Sequence, residues 1–327
     1  MGRAKRIPYG VSDFIDIIER NQYYVDKTMY IPKLEDEPDA LFFIRPRRFG
    51  KSLFISMLRA YYDIKRKDKF DKLFGNLWIG SHPTENQGKY QVLFLDFSKI
   101  GGSIDQLEEN FNAYCNECID SFIETYQEYY PERVVESVLK AKTAARKLNA
   151  IGIAAEKKNL PLYLIVDEYD NFTNVVLNEQ GEEVYTALTH ASGFYREIFK
   201  VFKGMFSKIF MTGVSPVTLD DLTSGFNIGW HISTKPAFNQ MLGFSTEDVR
   251  GLFTYYKENG EIRPDSDVEA IIAEMKPWYD NYCFSEECYG VEPCMYNSNM
   301  VIYYMNTLIT TGRPPKDMRD PNSKTDY

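Results

Sequence analysis

Eight consecutive residues constrain this chain more than any other feature: Arg45-Pro46-Arg47-Arg48-Phe49-Gly50-Lys51-Ser52, which follow the apolar run Leu41-Phe42-Phe43-Ile44. An apolar run bounded by turn residues reads as a buried strand. After Ser52, the residues Leu53, Phe54, Met57, Leu58 and Tyr61 recur at helical spacing, so the turn opens a helix packed by one face. Strand, tight turn and helix N-terminus make an anion cradle, in which successive backbone N–H groups converge and the helix dipole adds positive potential. The ligand implied is a nucleoside triphosphate with magnesium, read as ATP and Mg2+. Contacts are expected from Arg47, Arg48, Phe49, Gly50, Lys51 and Ser52, with Lys51 reaching the β- and γ-phosphates and Ser52 the metal.

The pattern departs from G-x-x-x-x-G-K-[ST] at its first position, where Arg45 stands in place of Gly. That Gly relieves backbone strain at the strand exit, so its loss is expected to change loop shape more than ligand chemistry. Arg47 and Arg48 are candidates for phosphate contacts or for transition-state arginines acting across a subunit contact, which would need an oligomer. A solvated basic turn is the alternative for either.

A triphosphatase also needs a second group on the magnesium and one to orient the attacking water, both at the carboxyl end of a neighbouring strand. Leu160-Pro161-Leu162-Tyr163-Leu164-Ile165-Val166 reads as that strand and runs directly into Asp167-Glu168. Asp167 would hold magnesium through water, and Glu168 would polarise the nucleophile. Thr212, ending the strand Lys208 to Gly213, is placed to sense the γ-phosphate from between the two elements; a hydroxyl capping the turn Gly213-Val214-Ser215-Pro216 is the plainer reading.

Strands are also expected at Tyr90 to Ser98 and, more weakly, at Gly229 to Ser233. Strands alternating with helices imply an α/β fold with a mostly parallel sheet. A short helix is expected over Ser12 to Arg20 with Ser12 as its N-cap, and a helical pair from Ile104 to about Glu156 with one break at Tyr130-Pro131. A boundary is placed near residue 236: residues 1–235 as the nucleotide-binding core, and 236–327 as a helical unit opened by the capped helix at Ser245. Its aromatic residues, including Trp278, Tyr279, Tyr296 and Tyr304, need something to bury against. The turn-rich terminus from Arg313 to Tyr327 stops without a closing element.

Composition narrows the partners. At 44% hydrophobic and 15% aromatic residues the chain is built for an ordered core, and a net charge of −9 opposes a nucleic-acid footprint over the whole surface. No run has the length of a membrane helix and no signal peptide is visible, so a cytoplasmic protein is expected. The five cysteines are then reduced thiols by default, with Cys115 and Cys118 on a helix and no evident second pair for zinc.

The runs Tyr24-Val25-Asp26-Lys27-Thr28, Arg45 to Ser52, Val166-Asp167-Glu168-Tyr169-Asp170 and Thr212 to Pro216 resemble the bacterial AAA-ATPase-like family, and the likeness continues through Gly243-Phe244, Trp278-Tyr279-Asp280, Tyr296-Asn297-Ser298 and Asp320-Pro321-Asn322. The family itself carries Arg at the first loop position. The resemblance implies a three-layer P-loop ATPase core of the ASCE type, related to AAA+ proteins, followed by a helical or winged-helix-like lid. It also implies a PD-(D/E)XK nuclease-like domain, which would begin beyond residue 327. Asn281 stands where the family usually has Gly, and Ser298-Asn299 where it has Pro-Trp. The function expected is a slow Mg-dependent ATPase that switches the lid or the nuclease-like domain; the alternatives are a non-hydrolysing nucleotide-binding scaffold and a nucleic-acid-binding module.

Overall fold

The computed structural model describes residues 4–101, 104–171, 194–215 and 229–322. Pro216 of the strand-end turn and the last five residues of the terminus lie outside the described residues. Five strands, β1 (Ala40–Ile44), β2 (Gln91–Asp96), β3 (Leu162–Asp167), β4 (Lys208–Gly213) and β5 (Trp230–His231), lie side by side in the order β2-β3-β4-β1-β5. Every neighbouring pair is parallel.

The continuous apolar runs are explained by burial on both faces. Leu41, Phe43, Tyr163, Ile165 and Phe210 share one core with helix Lys51–Tyr62, whereas Ala40, Phe42, Leu164, Val166 and Met211 share the other with helices from the 104–157 and 194–205 stretches. Alternate residues of one strand therefore enter different cores, as the period of two requires. Because β4 is inserted between β1 and β3, the carboxyl ends of these strands bring Gly50-Lys51, Thr212 and Asp167 into one row.

Three local expectations need correction. The first helix is Phe14–Glu19 and its cap is Asp13, not Ser12: the Asp13 carboxylate accepts the Asp16 N–H at 3.0 Å and the Ser56 hydroxyl at 2.9 Å. The stretch after Ile104 holds three helices, Ile104–Thr125, Glu132–Lys140 and Ala144–Lys157. The unforeseen break falls at Ala141 to Thr143, where the Thr143 hydroxyl caps the third helix. Finally, β5 keeps only Trp230 and His231 of the five residues expected, both exposed on the sheet edge.

Beyond Pro236 come helices Thr246–Glu258, Val268–Tyr279 and Ser298–Thr311, with a two-stranded antiparallel ribbon of β6 (Asp280–Tyr282) and β7 (Met295–Tyr296). Ser245 and Asp248 form the reciprocal capping box of the first of these helices. Tyr279, Tyr296 and Tyr304 are buried in a third core with Val249, Phe253 and Met305, whereas Trp278 is 58% exposed. Ile7, Tyr9 and Tyr23 from the N-terminal segment pack on this third core, with the Tyr23 and Tyr255 rings 5.0 Å apart. The chain thus passes over its C-terminal part before entering the sheet. Among the described residues no helix is long and apolar enough to cross a membrane.

Candidate functional site

The loop between β1 and helix Lys51–Tyr62 contains two left-handed residues, Arg48 at φ 72° and Gly50 at φ 87°. Gly tolerates that conformation without strain, and alternating handedness curls the backbone so that its N–H groups converge. Among the described residues, the N–H groups of Phe49, Gly50, Lys51 and Ser52 have no acceptor within the protein. They form a set of donors at a helix N-terminus, suited to an anion.

Lys51 Nζ folds back along this loop and donates to the Arg45 and Pro46 carbonyls at 2.9 and 3.0 Å. Burial lowers its pKa, and the Asp167, Glu168 and Asp170 carboxylates act in the opposite sense. Ser52 Oγ donates to Asp167 Oδ2 at 2.7 Å, while Thr212 Oγ1 donates to Asp167 Oδ1 at 2.6 Å. Asp167 thereby joins three elements that are far apart in sequence. Its Oδ1 also accepts the Glu168 N–H at 3.0 Å.

Glu168 takes φ 50°, an uncommon conformation for a residue with a side chain, and lines the cavity above the loop. Burial first, then the Asp167 charge, raises its carboxyl pKa against the pull of Lys51 and Arg47. The two arginines separate: the charge of Arg47 acts on Glu168 and Lys51, and that of Arg48 on Tyr9. The Phe49 ring turns away from the cavity into the protein, 4.7 Å from Tyr282 and 5.4 Å from Phe284, so only its backbone remains for a ligand.

Arg45 does not face the loop interior at all. Its side chain is buried, with NH1 donating to the Ile44 and Ser233 carbonyls and NH2 to the Phe238 carbonyl. The guanidinium lies between the Phe43 and Phe284 rings at 4.1 and 3.9 Å from their centres. Burial lowers it to about 9, which leaves it charged at neutral pH. The residue that breaks the sequence pattern is a structural clamp.

A cavity of about 540 Å³ opens over the loop. One wall comes from Arg47 to Phe54 and Glu168, another from Pro8, Gly10, Val11 and Ser12 with Tyr23, Tyr24, Val25 and Lys27, and a third from Leu242 to Phe244 with Ser298, Asn299 and Ile302. Sequence reasoning missed the N-terminal wall. Its signal was the Tyr24 to Thr28 run, in which Asp26 and Thr28 bind the turn at Trp78 and Ile79 and leave Tyr24, Val25 and Lys27 on the cavity. Asp170, also assigned no role from its position, accepts the Val214 and Ser215 N–H groups and fixes the turn after β4.

Residues 8–223 match the family model described as Predicted AAA-ATPase, which spans the loop, the Asp167-Glu168 pair and Thr212. The chain belongs to this AAA-ATPase-like family. It is also 25% identical over 301 residues to an "Uncharacterized protein in vnfD 5'region" of Azotobacter chroococcum mcd 1, an alignment covering 86% of this chain and 49% of that protein. The chain spans about half the length of that curated relative.

Proposed function

We propose that this chain binds ATP with Mg2+ and hydrolyses it slowly, residues 236 onward serving as a lid whose position answers to the γ-phosphate. The observation that carries this reading is the Asp167 carboxylate, shared between the Ser52 and Thr212 hydroxyls beside the N–H groups of Phe49 to Ser52. A hydroxyl and a carboxylate on adjoining turns suit magnesium, a hard cation that takes few protein oxygens and completes its shell with phosphate and water. Mg2+, when bound, would neutralise charge on the β- and γ-phosphate oxygens, and Ser52 and Asp167 would hold it.

The remaining roles follow from position. Lys51 would exchange its two carbonyl acceptors for phosphate oxygens, a charge-assisted contact that those carbonyls approximate. Glu168, at the cavity wall, would accept the proton of the attacking water, and its raised pKa makes it a better base than an ordinary carboxylate. Thr212 would hold the second Asp167 oxygen, Oδ1, together with the Glu168 N–H, and report on the γ-phosphate. The N-terminal and Leu242 to Phe244 walls would receive the nucleoside. A nuclease-like domain following this chain is the proposed target of the switch, on the family resemblance alone.

Calorimetric titration of ATP with and without Mg2+ tests the reading. Lys51→Ala should weaken binding by about 100-fold, the loss of one or two charged hydrogen bonds. Unchanged affinity in that variant would sink the site. Phosphate release by the wild type, absent in Glu168→Gln while binding persists, would establish hydrolysis over a purely binding role.

A further inference from the structure

The loop that would cradle the phosphates is held from outside by residues more than 190 positions away. Asn297 Nδ2 donates to the Arg47 carbonyl at 3.4 Å. Ser298 Oγ and the Asn299 N–H both donate to the Arg48 carbonyl, at 3.2 and 3.3 Å. The Gly243 N–H donates to the Phe49 carbonyl at 3.1 Å. Three successive carbonyls of the loop are thus taken by the C-terminal part of the chain.

No peptide bond among those described is cis, and in a trans peptide the C=O and N–H point in opposite directions. Fixing the carbonyls of Arg47, Arg48 and Phe49 on one side therefore turns the N–H groups of Arg48, Phe49 and Gly50 to the other. The approach leaves no slack at Gly243: with φ +85°, a Cβ there would meet the Phe49 ring and the Tyr296 carbonyl at 2.9 Å. Ser298 Oγ also stands 3.7 Å from where a Cβ on Gly50 would be, so the hydroxyl abuts the loop at its central glycine.

We propose that Asn297, Ser298 and Gly243 are positioning residues for the phosphate-binding loop, holding its peptide planes so that the amides converge before a triphosphate arrives. This deepens the nucleotide-site reading and rests on it. Any shift of the loop on binding would be passed to helix Ser298–Thr311 through the same bonds, without an intervening hinge.

Two substitutions remove the two side-chain donors and spare the helix. Asn297 caps that helix by accepting the Met300 N–H, a role serine fills about as well, so Asn297→Ser removes only the donor to Arg47. Ser298→Ala removes the hydroxyl at the first helical position. Together they should weaken Mg-ATP binding about tenfold, from loss of two side-chain hydrogen bonds. The turnover rate at saturating ATP and the melting temperature should stay close to wild type. Ser298→Thr should restore most of the single-variant loss.

Hydrogen exchange at Gly243 and Asn299, whose N–H groups donate to the Phe49 and Arg48 carbonyls, reads the clasp independently without nucleotide, and both amides should exchange faster in the double variant. Wild-type affinity together with wild-type exchange overturns the proposal. A parallel fall in melting temperature that Ser298→Thr does not relieve makes these residues merely structural and overturns it too. A wild-type chain that binds no triphosphate sinks the site, and the clasp with it, whatever the exchange shows.

Discussion

The guanidinium carbon of Arg45 sits 3.9 Å from the centre of the Phe284 ring, joining the exit of strand β1 to the segment just after β6. Its hydrogen bonds to Ser233 and Phe238 make the same connection through the chain that leaves β5. An arginine where the phosphate-binding pattern has glycine is therefore occupied by packing, and the loop beyond it keeps its donors.

Restoring the pattern should harm the protein. Arg45→Gly removes hydrogen bonds to Ser233 and Phe238, two ring contacts and a large buried volume, a loss of about 3 kcal/mol or more. ATP affinity in the fraction that folds should not improve. Urea unfolding with parallel calorimetry checks both, and a Gly variant that is as stable as wild type and binds ATP more tightly would show that Arg45 obstructs the loop.

What could be read in the sequence was what is local. β4 ends at Gly213 and β3 at Asp167 because apolar runs buried on both faces stop abruptly at a polar residue, and the capping box at Ser245 is a four-residue pattern. The destination of Arg45 was not legible. Apart from the neighbouring Ile44 carbonyl, its acceptors lie 188 and 193 residues away, and nothing in the periodicity of either segment marks them. For the same reason the sequence placed Lys51, Ser52, Asp167 and Thr212 on one site but not the walls at Pro8 and Tyr24, nor the grip of Asn297 and Ser298 on the loop.

Thr212→Val is nearly isosteric and deletes one hydroxyl. Asp167 Oδ1 would keep only the Glu168 N–H, and a buried carboxylate oxygen short of a donor costs about 1–3 kcal/mol. Stability should fall by that order, and Mg-dependent ATP binding should weaken with it. Thr212→Ser should retain both. Denaturant midpoints and titrations with and without Mg2+ measure the pair; a Val variant equal to wild type in each would return Thr212 to an ordinary strand end.

Lys27 Nζ meets Asp248 Oδ2 at 2.7 Å, where both side chains are largely shielded, and the same oxygen accepts the Ser245 N–H of the capping box. Lys27→Met should cost about 1–2 kcal/mol, and Asp248→Asn more, because the cap is weakened with the ion pair. A double-mutant cycle isolates the pair from the cap. Additive effects would mean that Lys27 does not tie the N-terminal segment to the C-terminal helix.

Glu168 gives the prediction with the clearest sign. Its carboxyl is raised above the ordinary 4.5 by burial and by Asp167, so the folded chain holds this proton more tightly than the unfolded chain does. The ionised form is the costly one. Below 4.5 the group is protonated in both states and costs nothing; the penalty grows as pH rises through the raised value and is complete above it. Glu168→Gln removes the charge, so without nucleotide it should melt higher than wild type at neutral pH, the gap closing as pH falls toward 4.5. Turnover should move the opposite way. The general base must be ionised, so the wild-type rate should fall on the acid side at a pH above the usual carboxylate range, and Glu168→Gln should lose about 100-fold or more at neutral pH. Melting curves across pH and phosphate release on both proteins test this together. Equal melting temperatures at neutral pH would place the Glu168 carboxylate in water, and equal turnover would move the catalytic base to another residue.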